Sequence, residues 1–198
     1  MNQLTIIYLT QAISSIVMFG GVAFLGIWLT EKRNPFKACA LDVKLSWKHA
    51  AIIIAAILVV QPLIELTQSW NEKIDFGPFF ALMDEQAARM TEWLLSDMSF
   101  GRVLVNLLVI ALIPAFVEEF LFRGWLQRRL EGWINFHAAV WVTAMVFSLV
   151  HLQMSGLIPR MLLGAMLGYS YHYTKTLWGS VLMHFVNNAF AVLTFNLI

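Results

Sequence analysis

The 198-residue chain is 60% hydrophobic and 13% charged, against about 45–50% and about 25% in an ordinary soluble domain. That leaves too little polar surface to clothe a soluble globule, and a formal net charge of +1 with no basic block gives no footing for nucleic acid. Cys39 is the only cysteine, which excludes an internal disulfide and a Cys-based metal site.

A first apolar run covers residues 4–29, longer than the roughly 20 residues that a span requires. The first ten residues hold no Lys or Arg, so the positive region that opens a signal peptide is missing and the run reads as a retained span. Gly20, Gly21 and Gly26 within it would let another helix approach closely. A polar segment with Pro35 leads to a second span over residues 47–66, with Pro62 and Glu65 near its far end. In the polar connection that follows, Met83, Ala87, Met90, Leu94 and Met98 recur at steps of three or four. This predicts an amphipathic helix lying on the membrane or capping a bundle.

A third helix is predicted over residues 102–130, a fourth over 137–152, a fifth over 159–173 and a sixth from 177 to the C-terminus. The third should be about 42 Å long and protrude from the bilayer. The fifth contains Gly164-x-x-x-Gly168, a close-packing motif. The expected fold is all-α, a polytopic membrane bundle of about six transmembrane helices. It divides into residues 1–100, with two spans and the amphipathic connection, and residues 101–198, with four helices. Trp47, Trp70, Trp133 and Trp178 suit an interfacial belt.

Basic residues set the orientation. Lys32, Arg33, Lys37, Lys44, Lys48, Arg123, Arg128, Arg129 and Lys175 gather on one side; Lys73, Arg89, Arg102 and Arg160 on the other. The richer side, which holds the turns after the third and fifth helices, is expected in the cytoplasm, with both termini outside.

The second half concentrates ionisable groups where they are expensive, at roughly 2.5–3.5 kcal/mol or more near the bilayer centre. Glu118 lies thirteen residues before Glu131, at the end of the third helix, and His151 fifteen residues after Phe136, at the start of the fourth. In an antiparallel hairpin both sit roughly 20 Å from the turn. His184 and Asn188 are four apart and share one face of the sixth helix at an overlapping depth. Glu119 and Arg123, also four apart, suit a salt bridge, which leaves Glu118 to face a cavity. A carboxylate in a poorly solvated cavity suits a general base. His151 could hold the same water or bind a metal, and His184 and Asn188 could donate to a developing oxyanion. The set suits amide hydrolysis by activated water.

Glu118-Glu119-Phe-Leu-Phe-Arg123, Phe147-Ser-Leu-Val-His151 and His184-Phe-Val-Asn-Asn188 match E-E-x-x-x-R, F-x-x-x-H and H-x-x-x-N. In this order and spacing, over residues 114–190, the chain resembles the CPBP family, which holds type II CAAX prenyl proteases and bacteriocin-processing Abi proteins. The resemblance implies an intramembrane endopeptidase acting on a membrane-associated protein or peptide within the lipid bilayer. Glu118, His151, His184 and Asn188 would be its active-site groups, and Glu119, Arg123 and Phe147 their support. It also implies a metalloprotease description. Glu118, His151 and His184 could form a one-carboxylate, two-histidine zinc site or a metal-free site, and both stay open.

The remaining polar residues read more plainly. His49, His137 and His172 are expected at helix ends and interfaces, Glu65 in a loop-facing position, Asn187 in packing away from the site, and Cys39 inert. A non-catalytic immunity or scaffold protein of the same fold is the alternative to an enzyme. A small transporter would show paired inverted halves with broken helices, and none is visible.

Overall fold

The computed structural model describes residues 3–32 and 34–195. Arg33, counted among the basic residues above, and the last three residues of the sixth predicted helix lie outside them. The described residues fold into α-helices without a strand. The helices are α1 Gln3–Glu31, α2 Pro35–Ala38, α3 Trp47–Asn71, α4 Pro78–Leu95, α5 Phe100–Glu131, α6 Phe136–Leu149, α7 Leu157–Thr174 and α8 Leu177–Thr194.

Four of these, α1, α3, α5 and α8, are long and apolar enough to cross a membrane, and the protein is an integral membrane protein. The other two expected spans exist as helices of a different kind. α6 has only 14 residues, and α7 carries Arg160, His172 and three tyrosines. α7 is packed among the longer helices, so it needs no apolar surface all round. α6 packs one side on α7 and leaves Trp141, Val142, Met145 and Leu149 exposed on the other, and the long helices expose Val17, Ile52 and Val59. Trp47, Trp70, Trp133 and Trp178 are exposed near helix ends, where an aromatic belt requires them.

The helix ends follow from local chemistry. Ser46, Asn135 and Thr176 cap α3, α6 and α8 by accepting from backbone N–H groups of the first turn. α7 ends at Lys175, which takes the left-handed conformation. α3 runs five residues beyond its expected end, because Thr67, Ser69 and Gln68 bond within the helix instead of breaking it.

α6 and α7 form the tightest pair. A Cβ on Gly164 would meet the Cα of Ala144 at 3.1 Å, and one on Gly168 would meet Val140 at 3.0 Å. The glycine motif is therefore a contact surface for α6. In α1 the close approach falls at Gly26, where a Cβ would sit 2.8 Å from Trp125. Gly20 meets Val117 at an ordinary 3.5 Å. α8 lies against α5, α7 and α3, and α1 against α5. The amphipathic α4 caps one end. Its Leu94 packs on Tyr8 and Val109, while Asn106 bonds both Tyr8 and the Leu94 carbonyl.

α1 and α5 are not regular throughout. Segments Ile16–Gly21, Leu107–Leu112 and Phe122–Gln127 carry π-type turns, which are frequent at functional sites. The last two flank the glutamate pair.

Candidate active site

α5, α6, α7 and α8, with Gln11 of α1, Ile64 and Gln68 of α3 and Thr91 and Leu95 of α4, surround an open cleft of about 550 Å³. Glu118, Phe147, His151, His184 and Asn188 all line it, with Ile110, Pro114 and Leu163 supplying apolar wall. The depth argument thus brings these groups together as expected. A neighbouring hollow of about 620 Å³ beneath α4 shares Gln68, Thr91, Gln153, Gly156 and Arg160 with the cleft. α4 is tethered there by Asp84, which accepts from the Ser155 N–H at 3.1 Å and the Ser155 hydroxyl at 2.9 Å.

The two glutamates have different surroundings. Glu119 is fully buried and accepts from Arg123 at 2.6 Å and from His184 Nδ1 at 2.8 Å. Arg123 is equally buried, donates on to the Gly164 carbonyl at 2.8 Å, and lies 4.8 Å from the Phe147 ring centre. This ion pair therefore fastens α5 to α7 and α8. Glu118 lies on the cleft wall, its Oε2 3.9 Å from His184 Nε2, beyond direct hydrogen bonding.

Phe147 is the hub of the ring packing, edge-on to Phe122, His151 and His184 with centroids 5.1, 5.2 and 5.7 Å apart. His151 is not on α6 but in the turn beyond it, since the helix ends at Leu149. Its Nδ1 is 2.7 Å from the Phe147 carbonyl. A carbonyl can only accept, so Nδ1 carries the hydrogen and Nε2 is left as the acceptor. The turn itself is held by Asn71 at the end of α3. Asn71 donates to the Met154 carbonyl and accepts from the Ile158 N–H at 2.7 Å.

Among the described residues, no three His, Cys, Asp or Glu side chains stand close enough to hold a metal ion. His184 and His151 each engage Nδ1, which leaves Nε2 of both as the ring nitrogen open to the cleft.

Several cleft residues were not expected there. Asn187 lines the cleft instead of packing away from it, and Arg160 and Gln153 stand at its junction with the hollow. Arg160 bonds the Gln153 carbonyl at 3.1 Å and its side-chain oxygen at 3.0 Å. One signal for Arg160 was present: a cation in the first turn of a helix otherwise buried among its neighbours. Glu65 is exposed and outside the cleft, as are His49 and His137, while His172 is half-buried against Phe136. Cys39 is buried against the Gly124 carbonyl, and desolvation pushes its thiol up to about 12; it is no nucleophile at neutral pH.

Comparison with known proteins agrees with this geometry. The sequence model of one family, described as Type II CAAX prenyl endopeptidase Rce1-like, matches residues 100–190, just under half of the chain. Neither the curated proteins nor the solved structures give a match. The matched stretch begins with α5 and ends in α8, so it takes in the helices that carry Glu118, Phe147, His184 and Asn188. Over these residues the chain is similar to the Rce1-like protease family.

Proposed function

We propose that the protein is an intramembrane endopeptidase in which Glu118 activates a water molecule for attack on a peptide bond. The observation that carries this reading is the placement of Glu118, His151, His184 and Asn188 around one cleft, within residues that match a protease family. Glu118 takes a proton from water as the oxygen adds to the scissile carbonyl. His151 Nε2, its Nδ1 hydrogen already committed, accepts from the same water and orients it. The developing oxyanion draws on the free amide hydrogen of Asn188. His184 can join only with both ring nitrogens protonated, because Nδ1–H is directed to Glu119. The proton held by Glu118 then passes to the amide nitrogen as the C–N bond breaks. Residues 101–198 would carry this chemistry. The substrate would be a membrane-associated protein or peptide.

The test is kinetic. Asn188→Ala should lower kcat by about 10²–10³, the usual cost of one oxyanion donor, with KM little changed. His184→Ala should do at least as much. An Asn188→Ala enzyme with the kcat of the parent would remove this residue from the chemistry. If His184 held zinc, its loss would also release metal detectable by elemental analysis.

In the same reading the turns after α5 and α7 lie in the cytoplasm. Arg123 is buried and paired, so it drops out of the charge comparison, but the bias survives without it. Gln127, in the last part of α5, is fully buried and would not label from either side. Trp133 is 70% exposed and is the better probe. In intact cells a Trp133→Cys variant should resist a membrane-impermeant maleimide, whereas a Gln86→Cys variant on the exposed face of α4 should react. The reverse pattern would invert the orientation.

A further inference from the structure

The residues that match the family begin at 100, yet α3, outside them, reaches the cleft. Gln61 of α3 is buried and its Nε2 makes two bonds, to the Ile57 carbonyl at 3.1 Å and to Asn187 Oδ1 at 3.2 Å. Asn187 Nδ2 then donates to Asn188 Oδ1 at 3.4 Å, and Asn188 Nδ2 to the Ile110 carbonyl at 3.5 Å.

This chain of three amides can run in only one direction. Both of its ends are backbone carbonyls, which accept and never donate. The Ile57 carbonyl obliges Gln61 to present nitrogen, and that nitrogen obliges Asn187 to present oxygen. The Asn187 nitrogen then faces Asn188, whose oxygen is consumed. The Asn188 amino group is left with one hydrogen on Ile110 and one free toward the cleft. Ile110 is available for a reason visible in the sequence. Pro114, four residues on, has no N–H to give it in the α-helical pattern.

We propose that Gln61 is a positioning residue: by fixing the polarity of Asn187 it holds the Asn188 amide with its donor, not its acceptor, toward the reacting carbonyl. Without that bias Asn188 is held in this sense by the 3.5 Å bond to the Ile110 carbonyl alone, and its amide can swing away from the reacting carbonyl. This rests on the proposed role of Asn188, but its physical content, the direction of the amide chain, can be read without turnover.

Two measurements test it. In protein carrying isotope-labelled asparagine, Gln61→Met should shift the side-chain amide signals of both Asn187 and Asn188 while leaving those of Asn135 in place. In the kinetic assay Gln61→Met should lower kcat on the order of 10²-fold, the scale of misplacing a reacting group, with KM nearly constant. Introduced into Asn188→Ala, it should cost nothing further, because the two residues act through one donor. If Gln61→Met does not accumulate, Asn187→Leu breaks the same chain in the middle and carries the same expectations for the Asn188 signal and for kcat. An unmoved Asn188 signal, or losses that multiply in the double variant, would overturn the proposal. A protein with the expected signal shifts but no peptidase activity would instead sink the proposed function alone.

Discussion

Glu118→Gln is expected to abolish hydrolysis while the protein still accumulates in the membrane. The substitution keeps the size and shape of the side chain and removes its ability to take a proton. A positioned general base contributes about 10²–10⁴ in rate, and kcat should fall by that order or below detection. Little structural cost is expected. Among the described residues Glu118 approaches His184 only to 3.9 Å, beyond hydrogen bonding, and an amide is cheaper than a carboxylate inside a membrane. Turnover of purified protein and its yield in membranes measure the two halves. Activity within tenfold of the parent would end the case for Glu118 as the base.

Glu119→Gln should act differently, lowering stability and activity together. The fully buried Glu119 carboxylate accepts from both Arg123 and His184. Removing its charge strands the Arg123 guanidinium among helices with no other carboxylate within salt-bridge reach. Breaking a buried pair from one side costs about 3–5 kcal/mol. Both bonds go to one oxygen, Oε1, and an amide oxygen placed there can still accept them, which places Gln at the lower end of that range and Ala at the upper. A neutral amide holds His184 Nδ1–H less strongly than a carboxylate does, so the activity that survives should also be slow. Thermal unfolding in detergent, followed alongside turnover, separates the effects. A Glu119→Gln protein that melts with the parent and loses only turnover would show that the two glutamates have been assigned the wrong way round.

Much of this was legible in the sequence because depth along a helix is simple arithmetic. A rise of 1.5 Å per residue was enough to bring Glu118, His151, His184 and Asn188 to one level, and the four-residue spacing was enough to pair Glu119 with Arg123. Contacts across helices were not legible. Periodicity says which residues share a face, but not which neighbour that face meets, so the Glu119–His184 bond and the approach of Gln61 to Asn187 were invisible. The π-type turns at Leu107–Leu112 and Phe122–Gln127 change the phase between the two ends of α5, so a face traced from Glu118 at regular helical spacing does not carry through to the buried Gln127. Asn187 was misread for a related reason. Its partner stands 126 positions earlier, and nothing local marks it. The shortness of α6 and the polarity of α7 were visible as composition. That α7 is packed among longer helices, and α6 on one side only, depends on tertiary structure.

The cleft also says something about what can be cut. At about 550 Å³ it is the size of a small-molecule pocket, whereas a helix with its side chains is about 10–12 Å across. On the proposed function, a membrane-embedded substrate could not present a scissile bond to Glu118 while it remains helical. It must first unwind over a few residues and enter as an extended strand, giving up backbone hydrogen bonds that lipid cannot replace. Selection then falls on the ease of local unravelling. Segments weakened by glycine, by proline or by a nearby helix terminus would yield first, and a firmly helical span would pass uncut whatever its side chains.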